Sequence, residues 1–189
     1  YTYLCRLKCK IVKHLKQYRI PFSGLNAGKH NFEFDINKKF FDCYEHSIVK
    51  DGNLKAEVEL QKQENLLILH FDIQGEIQLT CDTCLKEFMS PISIQERILV
   101  KFTDEDWTDN TEEVLILSKS DHELDIAELL YEYINLAVPY IVKCEEQGQG
   151  IQCDPEMLAL FTSEPDSEEQ KEEEIIDPRW EALRNIKNN

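Results

Sequence analysis

Residues 67–102 read LILHFDIQGEIQLTCDTCLKEFMSPISIQERILVKF, and this stretch decides the fold because two alternating apolar patterns flank a pair of cysteines. Apolar residues occupy the odd positions before the cysteines, except at Gly75, and resume on even positions after them. A period of two is typical of a strand with one buried face. The sequence therefore predicts two long antiparallel strands joined by a hairpin connection over residues 81–91, with Cys81 and Cys84 at its tip.

Further strands and one helix are predicted on either side of this hairpin. Alternation of apolar and polar residues predicts strands at residues 32–36 and 56–60, and a short apolar run occupies residues 114–117. A helix is predicted over residues 125–137, opened by a capping-box pair at Asp125 and Glu128 and stopped by Pro139. The expected fold class is α+β, an antiparallel sheet or partly open barrel with one packed helix. Gly75 is expected to mark a bend or a bulge.

The charge distribution predicts an acidic body with a basic head. The chain of 189 residues has a formal net charge of -16, although residues 1–19 contain six Lys and Arg and no acid. The remainder therefore carries -22. Because nucleic-acid phosphates are bound largely by Lys and Arg, such a body is a poor candidate for broad, unaided RNA binding. Any contact with RNA is expected to be local or indirect, and no RNA-binding residue is assigned.

Length, apolar runs and cysteine number predict a soluble cytoplasmic protein without a membrane contact. No apolar run approaches the roughly 18 to 20 residues that span a bilayer, and no signal peptide is apparent. Seven cysteines form an odd set, so reduced thiols or thiolate metal ligands fit better than a disulfide framework. We expect Cys43 to be an ordinary buried or half-buried thiol.

Composition divides the chain into four predicted segments. They are a basic extension (1–19) with an amphipathic helix, a folded domain (20–161), an acidic flexible linker (162–176) and a short C-terminal helix (177–189). In the last segment Asp177 is the expected N-cap, Pro178 suits the first helical turn, and Trp180 and Leu183 share a face. The candidate partner-binding residues are Asp177, Pro178, Arg179, Trp180 and Leu183. The alternative is that this helix folds back on the chain's own sheet.

Four cysteines form the candidate metal site. Cys81 and Cys84 have the C-x2-C spacing of a zinc knuckle, and Cys144 and Cys153 would complete a tetrahedral set. Two alternatives remain at this point, a redox pair at Cys81 and Cys84 or four unligated thiols. A thioredoxin-like pair belongs at the start of a helix after a strand, whereas this pair falls in a predicted hairpin. The sequence therefore favours metal, with Zn²⁺ as the expected ion, over redox exchange.

No catalytic residue is assigned from the sequence. The five histidines are scattered, and no glycine motif that cradles phosphate is present. His70 falls on the polar face of its predicted strand and is expected to be an ordinary solvated side chain. The aromatic residues Phe40, Phe41 and Tyr44 follow two lysines, so they are candidates either for stacking on RNA or for the core.

Three stretches resemble one protein family, the YceD family of large ribosomal RNA subunit accumulation proteins. They are IQLTCDTCLKEFMSPI (77–92), LDIAELLYEYINLAVPYIVKC (124–144) and DPRWEALRNIK (177–187). The run IPFSGLNAGKHNFEFDINKKFFD (20–42) is similar to the start of members from the Bacteroidetes group. Cys144 and Cys153 match two cysteines of a cysteine-rich loop found in many relatives.

The resemblance implies a non-catalytic accessory role in the synthesis, processing or accumulation of 23S ribosomal RNA and in large-subunit biogenesis. Implied partners are a basic ribosomal protein or a large-subunit assembly factor, with 23S ribosomal RNA contacted directly or indirectly. Two other functions stay open at this point. One is an acidic protein-protein adaptor, and the other is a thiol-disulfide protein acting through Cys81 and Cys84.

Overall fold

The computed structural model of the protein describes residues 14–103 and 114–162, with side chains described to residue 159. The chain divides into two compact units, Tyr1–Asp154 and Pro155–Asn189. Three sequence predictions lie largely or wholly outside the described residues: the basic N-terminal helix, the acidic linker and the C-terminal helix.

The first unit is an α+β structure, as predicted, built around a five-stranded sheet. Its strands are β1 (Arg19–Pro21), β2 (Gly28–Asn37), β3 (Gly52–Lys62), β4 (Leu66–Thr80), β5 (Glu87–Thr103), β6 (Val114–Ser118) and β7 (Glu123–Asp125). Its helices, after a 3₁₀ turn at Lys16–Tyr18, are α1 (Lys38–Phe41), α2 (Ala127–Leu136) and α3 (Cys144–Gln147). The second unit contains α4 (Pro155–Thr162).

Strand order in the large sheet is β2-β3-β4-β5-β6, and β1 pairs with β7 in a separate antiparallel ribbon. The strands β2 to β5 are antiparallel, as predicted, but β6 runs parallel to β5. An apolar pattern does not specify whether a strand runs parallel or antiparallel to its neighbour, so the parallel edge could not be predicted from the sequence. The described strands β2 and β6 lie at opposite edges of an open sheet, and no closed barrel forms.

The central hairpin β4–β5 is the predicted one, with a shorter connection. Leu69 lies opposite Ile98 and Leu79 opposite Phe88, and all four side chains are buried. The connection is residues 81–86 rather than 81–91, because β5 extends back through Pro91. Proline is tolerated there because β6 pairs only farther along β5, so the missing N–H breaks no ladder on that side.

Gly75 keeps β4 in register without the bulge that the sequence allowed. It pairs with Leu54 in an unbroken ladder. Its φ of +146° is a backbone conformation that residues other than glycine rarely adopt. A Cβ at this position would lie 2.8 Å from Leu54 Cα. The glycine is therefore required by the close approach of β3.

Helix α2 covers the apolar face of the sheet, as predicted. The ring of Tyr133 in this helix lies edge-on to the ring of Phe71 in β4, with the ring centroids 5.3 Å apart. Leu130 and Ile134 on the same helix are buried. The Asp125 carboxylate accepts a hydrogen bond from the Ala127 N–H at 3.1 Å, which satisfies one free amide of the first turn. None of the helices in the described ranges has the length and apolar character needed to cross a bilayer.

The aromatic cluster near α1 belongs to the core. Phe40 and Phe41 are at most 2% exposed, and Tyr44 stacks on Tyr131 at 3.9 Å. Of the two roles that the sequence left open for these rings, packing is the one observed. His70 is exposed on the polar face of β4, as predicted.

Candidate metal centre

The connection between β4 and β5 is a tight turn that places Cys81 and Cys84 together. The Cys81 N–H donates to the Lys86 carbonyl at 3.0 Å, and the Leu85 N–H donates to the Cys81 carbonyl at 2.9 Å. Leu85 closes the turn with φ 59°, a left-handed conformation that is uncommon outside glycine. We call residues 81–86 the knuckle.

Cys144 and Cys153 come from the segment after α2, which we call the cysteine loop (residues 142–153). Cys144 opens α3 and its carbonyl accepts from the Gly148 N–H at 2.9 Å, which turns the chain back. A Cβ on Gly148 would lie 3.0 Å from the Phe88 ring and would also meet the Cys144 carbonyl. The small residue therefore lets the loop approach β5 closely enough to bring Cys153 to the knuckle.

Asp82 joins the knuckle to the start of the cysteine loop through two hydrogen bonds. Its backbone N–H donates to the Val142 carbonyl at 2.8 Å, and its carboxylate accepts from the Val142 N–H at 2.7 Å. The bond to the carboxylate is the stronger of the two, because its acceptor is charged. Together the two bonds fix Val142, and hence Cys144 two residues later, against the knuckle.

The four predicted ligands meet in one cluster. The Sγ atoms of Cys81 and Cys153 are 3.8 Å apart, those of Cys84 and Cys144 are 3.8 Å apart, and those of Cys144 and Cys153 are 3.3 Å apart. All four sulfurs lie within 4.8 Å of one another. A tetrahedral site with metal–sulfur bonds of about 2.3 Å has sulfur–sulfur edges of about 3.8 Å. Four such donors fit a metal ion.

The cluster is shielded from water. Cys81 and Cys144 are fully buried, Cys84 is 5% exposed and Cys153 is 8% exposed. All four are free thiols in the structure, as is the half-buried Cys43, whose Sγ lies 3.2 Å from the Lys39 carbonyl oxygen. Cys43 therefore takes no part in the cluster, as the sequence predicted.

The surroundings give the thiols unequal acidity. Burial raises the pKa of Cys81, but backbone N–H groups of Cys84, Cys144 and Thr83 point at its sulfur and lower the pKa to about 6. Burial raises the pKa of Cys144. The hydrogen bond with Cys144, followed by burial, raises the pKa of Cys153. N–H groups directed at a sulfur favour the thiolate, which is the form that binds a metal.

A concavity away from the cysteine cluster has a different, polar character. It has a volume of about 940 Å³ on the polar face of β2 to β5. Two of its carboxylates, Glu33 and Glu57, contact Lys55 at 2.8 and 3.7 Å, and Glu59 contacts Lys29 at 2.9 Å. These acids are largely neutralised by neighbouring lysines, so the surface is an ordinary solvated sheet face.

A family model described as "Large ribosomal RNA subunit accumulation protein YceD" matches residues 69–187, well over half of the chain. The chain belongs to the YceD family. The match begins in β4 and includes the knuckle and the cysteine loop. Neither a curated protein nor a solved structure gives a significant match. The YceD assignment agrees with the resemblance found in the sequence, which extends farther toward the N-terminus, to residue 20.

Within the YceD chain, the predicted metal ligands are brought together, whereas the predicted partner-binding residues 177–183 lie outside the described residues. Sequence reasoning missed the two residues that bring the knuckle and the loop into contact, Asp82 and Gly148. The signal for Asp82 was its place inside the C-x2-C pair, and that for Gly148 was a glycine between Cys144 and Cys153. Neither signal indicates what the residue contacts.

Proposed function

We propose that the protein is a non-catalytic accessory factor that promotes synthesis, processing or accumulation of 23S ribosomal RNA during large-subunit biogenesis. Membership of the YceD family is the observation that carries this proposal, since the family is described by accumulation of large ribosomal RNA. The described residues add a buried cluster of four cysteines, which supports a structural metal site within such a factor.

The cysteine cluster is proposed to hold Zn²⁺ through Cys81, Cys84, Cys144 and Cys153. Four thiolates at tetrahedral spacing are typical of zinc or iron, and a fully closed ligand set is typical of a structural site. A bound ion would join the hairpin tip to the segment that follows α2. Its role here would be to fix these two elements, with no open position for substrate.

The proposed partner is a basic ribosomal protein or a large-subunit assembly factor, and 23S ribosomal RNA is reached directly or through that partner. A net charge of -16 attracts basic proteins over long range and disfavours adhesion to RNA phosphates. The proposed location is the cytoplasm, where large subunits are assembled.

The C-terminal segment is proposed as a second contact with partners. Asp177 and Pro178 provide a helix start, Arg179 adds a charged flank, and Trp180 and Leu183 provide an apolar face. Tryptophan is a frequent anchor at protein interfaces. Replacing Trp180 with Ala should weaken capture of the partner at least tenfold, while Trp180→Phe should keep most of it.

The proposed function is tested by depleting the protein in its own cells and measuring the ratio of 23S to 16S ribosomal RNA. We expect the ratio to fall and free large subunits to decrease relative to small ones. Re-expression of the wild-type chain should restore both. An unchanged ratio after complete depletion would contradict the proposal and would favour an adaptor role outside ribosome assembly.

A further inference from the structure

One end of the first unit exposes large apolar side chains beside the cysteine cluster. Leu136 at the end of α2 is 81% exposed, Tyr140 is 99% exposed, and Ile48 in the loop before β3 is 66% exposed. A side chain as large as tyrosine gains nothing from full exposure in an isolated protein, and contiguous apolar patches mark interaction sites.

The remaining large apolar side chains that are exposed in residues 14–103 and 114–159 lie near the same end. Ile141 follows Tyr140 along the chain, Leu85 is in the knuckle, and Met89 lies opposite Gln78, which itself lines the groove described next. The concentration of these residues at one end is not expected for single apolar residues scattered over a surface.

A groove of about 520 Å³ runs through this patch. The exposed side chains of Ile48, Leu136 and Tyr140 line it, together with Pro139, Val138 and Leu79. A cleft of this size accommodates one or two large side chains of a partner. Its apolar lining would remove the apolar surface of such an anchor from water, which favours binding.

Hydrogen bonds fix both walls of the groove. On one side the Asn135 amide oxygen accepts from the Ile48 N–H at 3.1 Å, while the Asn135 amide nitrogen donates to the Tyr131 carbonyl at 2.7 Å. On the other side Asp82 holds Val142 through the two bonds described above. A groove that exists before binding costs little ordering entropy, so contacts in it are converted to affinity efficiently.

We propose that this groove docks an apolar anchor, an aromatic or branched aliphatic side chain flanked by Lys or Arg, on a basic protein of the large ribosomal subunit. The inference rests on the proposed function and names the site on this chain where that function's partner binds. Both Leu136 and Tyr140 act as contact residues, and Asp82 and Asn135 act as positioning residues.

Charge favours this occupant over a second copy of the chain and over RNA. A second copy would bring a net charge of -16 toward another -16, and RNA would bring phosphates toward the same field. The charged groups that line the groove are the carboxylates of Asp82 and Glu87 and the single ammonium of Lys50. A basic segment is attracted by both the local and the overall charge.

The test uses the full-length, metal-loaded chain immobilised on a support and the total proteins extracted from purified large ribosomal subunits as the probe. The retained basic protein is identified, purified and titrated against wild type, Leu136→Ser and Tyr140→Ser. We expect both serine variants to weaken its Kd at least tenfold. Two matched controls, Tyr140→Phe and Leu136→Met, keep the apolar surface and should stay within about twofold.

The melting temperature of each variant checks that the fold is intact. It should be nearly unchanged, because Leu136 and Tyr140 are mostly exposed and lie outside the buried core. Retention of no basic subunit protein, or equal Kd values for wild type and both serine variants, would overturn the inference. So would loss of self-association in Tyr140→Ser, which would assign the groove to a second copy, or displacement of the protein by a single-stranded RNA, which would assign it to RNA.

Complementation separates this inference from the proposed function. If depletion lowers the 23S to 16S ratio, and both Tyr140→Ser and Leu136→Ser restore it as fully as wild type, the proposed function stands and the groove inference is wrong. If depletion leaves the ratio unchanged, the proposed function itself fails, whatever the titrations give. We expect neither result, but a fall of the ratio that the serine variants do not reverse.

Discussion

Gly75 and Gly148 are required because neighbouring atoms come too close to leave room for a side chain. At Gly75 the neighbouring strand leaves no space for a Cβ, and at Gly148 the cysteine loop comes against Phe88. In the knuckle, by contrast, the left-handed position with φ 59° is occupied by Leu85 and not by a glycine. A non-glycine residue in this conformation costs about 1 kcal/mol or more, so the knuckle carries backbone strain that bound metal would offset.

Replacing Gly75 with Ala should lower the free energy of unfolding by about 3 kcal/mol. The alanine would have an unfavourable positive φ, and its Cβ would clash with the backbone of β3. The matched control is Gly24→Ala, where a Cβ meets nothing within 4 Å. Urea unfolding of the two variants measures the difference. Equal stabilities would show that β3 and β4 separate easily at Gly75.

Replacing Cys144 with Ser should abolish stoichiometric metal binding, since three thiolates and a hydroxyl bind Zn²⁺ far less tightly than four thiolates. Cys43→Ser is the control because Cys43 lies outside the cluster. Metal content per chain, measured by plasma mass spectrometry after dialysis, should be about one for wild type and Cys43→Ser. A metal-free wild type purified under reducing conditions would contradict the prediction.

Two elements, the knuckle and the cysteine loop, form the site only because they are held together. One link is the Cys144 N–H, which points at the Cys81 sulfur at 3.5 Å. The other is Asp82, whose carboxylate and N–H both bond Val142, so residues other than the cysteines also hold the two elements together. Metal affinity should depend on this link as well as on the ligands.

Substituting Asp82 with Ala should destabilise the protein by about 1.5–3 kcal/mol, the range for a hydrogen bond to a charged group, and should weaken metal binding. Asp82→Asn keeps an acceptor for the Val142 N–H and should lose less. Thermal unfolding and competition with a chromogenic chelator would measure the two effects. If Asp82→Ala bound metal as tightly as wild type, the link would be dispensable.

Metal binding should release protons in an uneven pattern across the cluster. At pH 7.5 the pKa of about 6 leaves Cys81 already a thiolate, whereas the raised pKa values keep Cys144 and Cys153 protonated. At least these two protons should therefore leave on binding, and affinity should fall as pH is lowered, more steeply once Cys81 also protonates near pH 6. Titration calorimetry in two buffers of different ionisation enthalpy counts the protons. Release of fewer than two would contradict the assignment.

At the scale of the whole molecule, the cysteine cluster closes a long loop of the chain. Between Cys84 and Cys144 lie β5, β6, β7 and α2, so a metal there ties the tip of the central hairpin to the segment after the covering helix. Closing a loop of about 60 residues removes about 4 kcal/mol of unfolded-state entropy in the chain-entropy model.

Removal of metal with a chelator should therefore lower the melting temperature by about 8–16 °C. In a chain of this size each kcal/mol of lost stability lowers the melting temperature by about 2–4 °C, and about 4 kcal/mol is lost. Differential scanning calorimetry before and after chelation, with metal re-addition as the control, measures the change. A melting temperature that does not respond to chelation would mean that the sheet and α2 are held together without the cluster.

The sequence by itself determined the strands β2 to β5, the helix α2 and the identity of the four clustered thiols. It could do so because alternation of apolar residues, helical spacing and C-x2-C spacing are local patterns that report directly on one element. It also carried the family resemblance, because the matching runs are contiguous.

Only the tertiary structure decided the parallel pairing of β6, the meeting of Cys153 with Cys81, the Asp82 to Val142 link and the groove beside Tyr140. Each of these depends on which elements approach one another across a long separation in the chain. A side chain such as Tyr140 reads as an ordinary apolar residue in the sequence, and its exposure is set by the elements that pack around it and leave it uncovered.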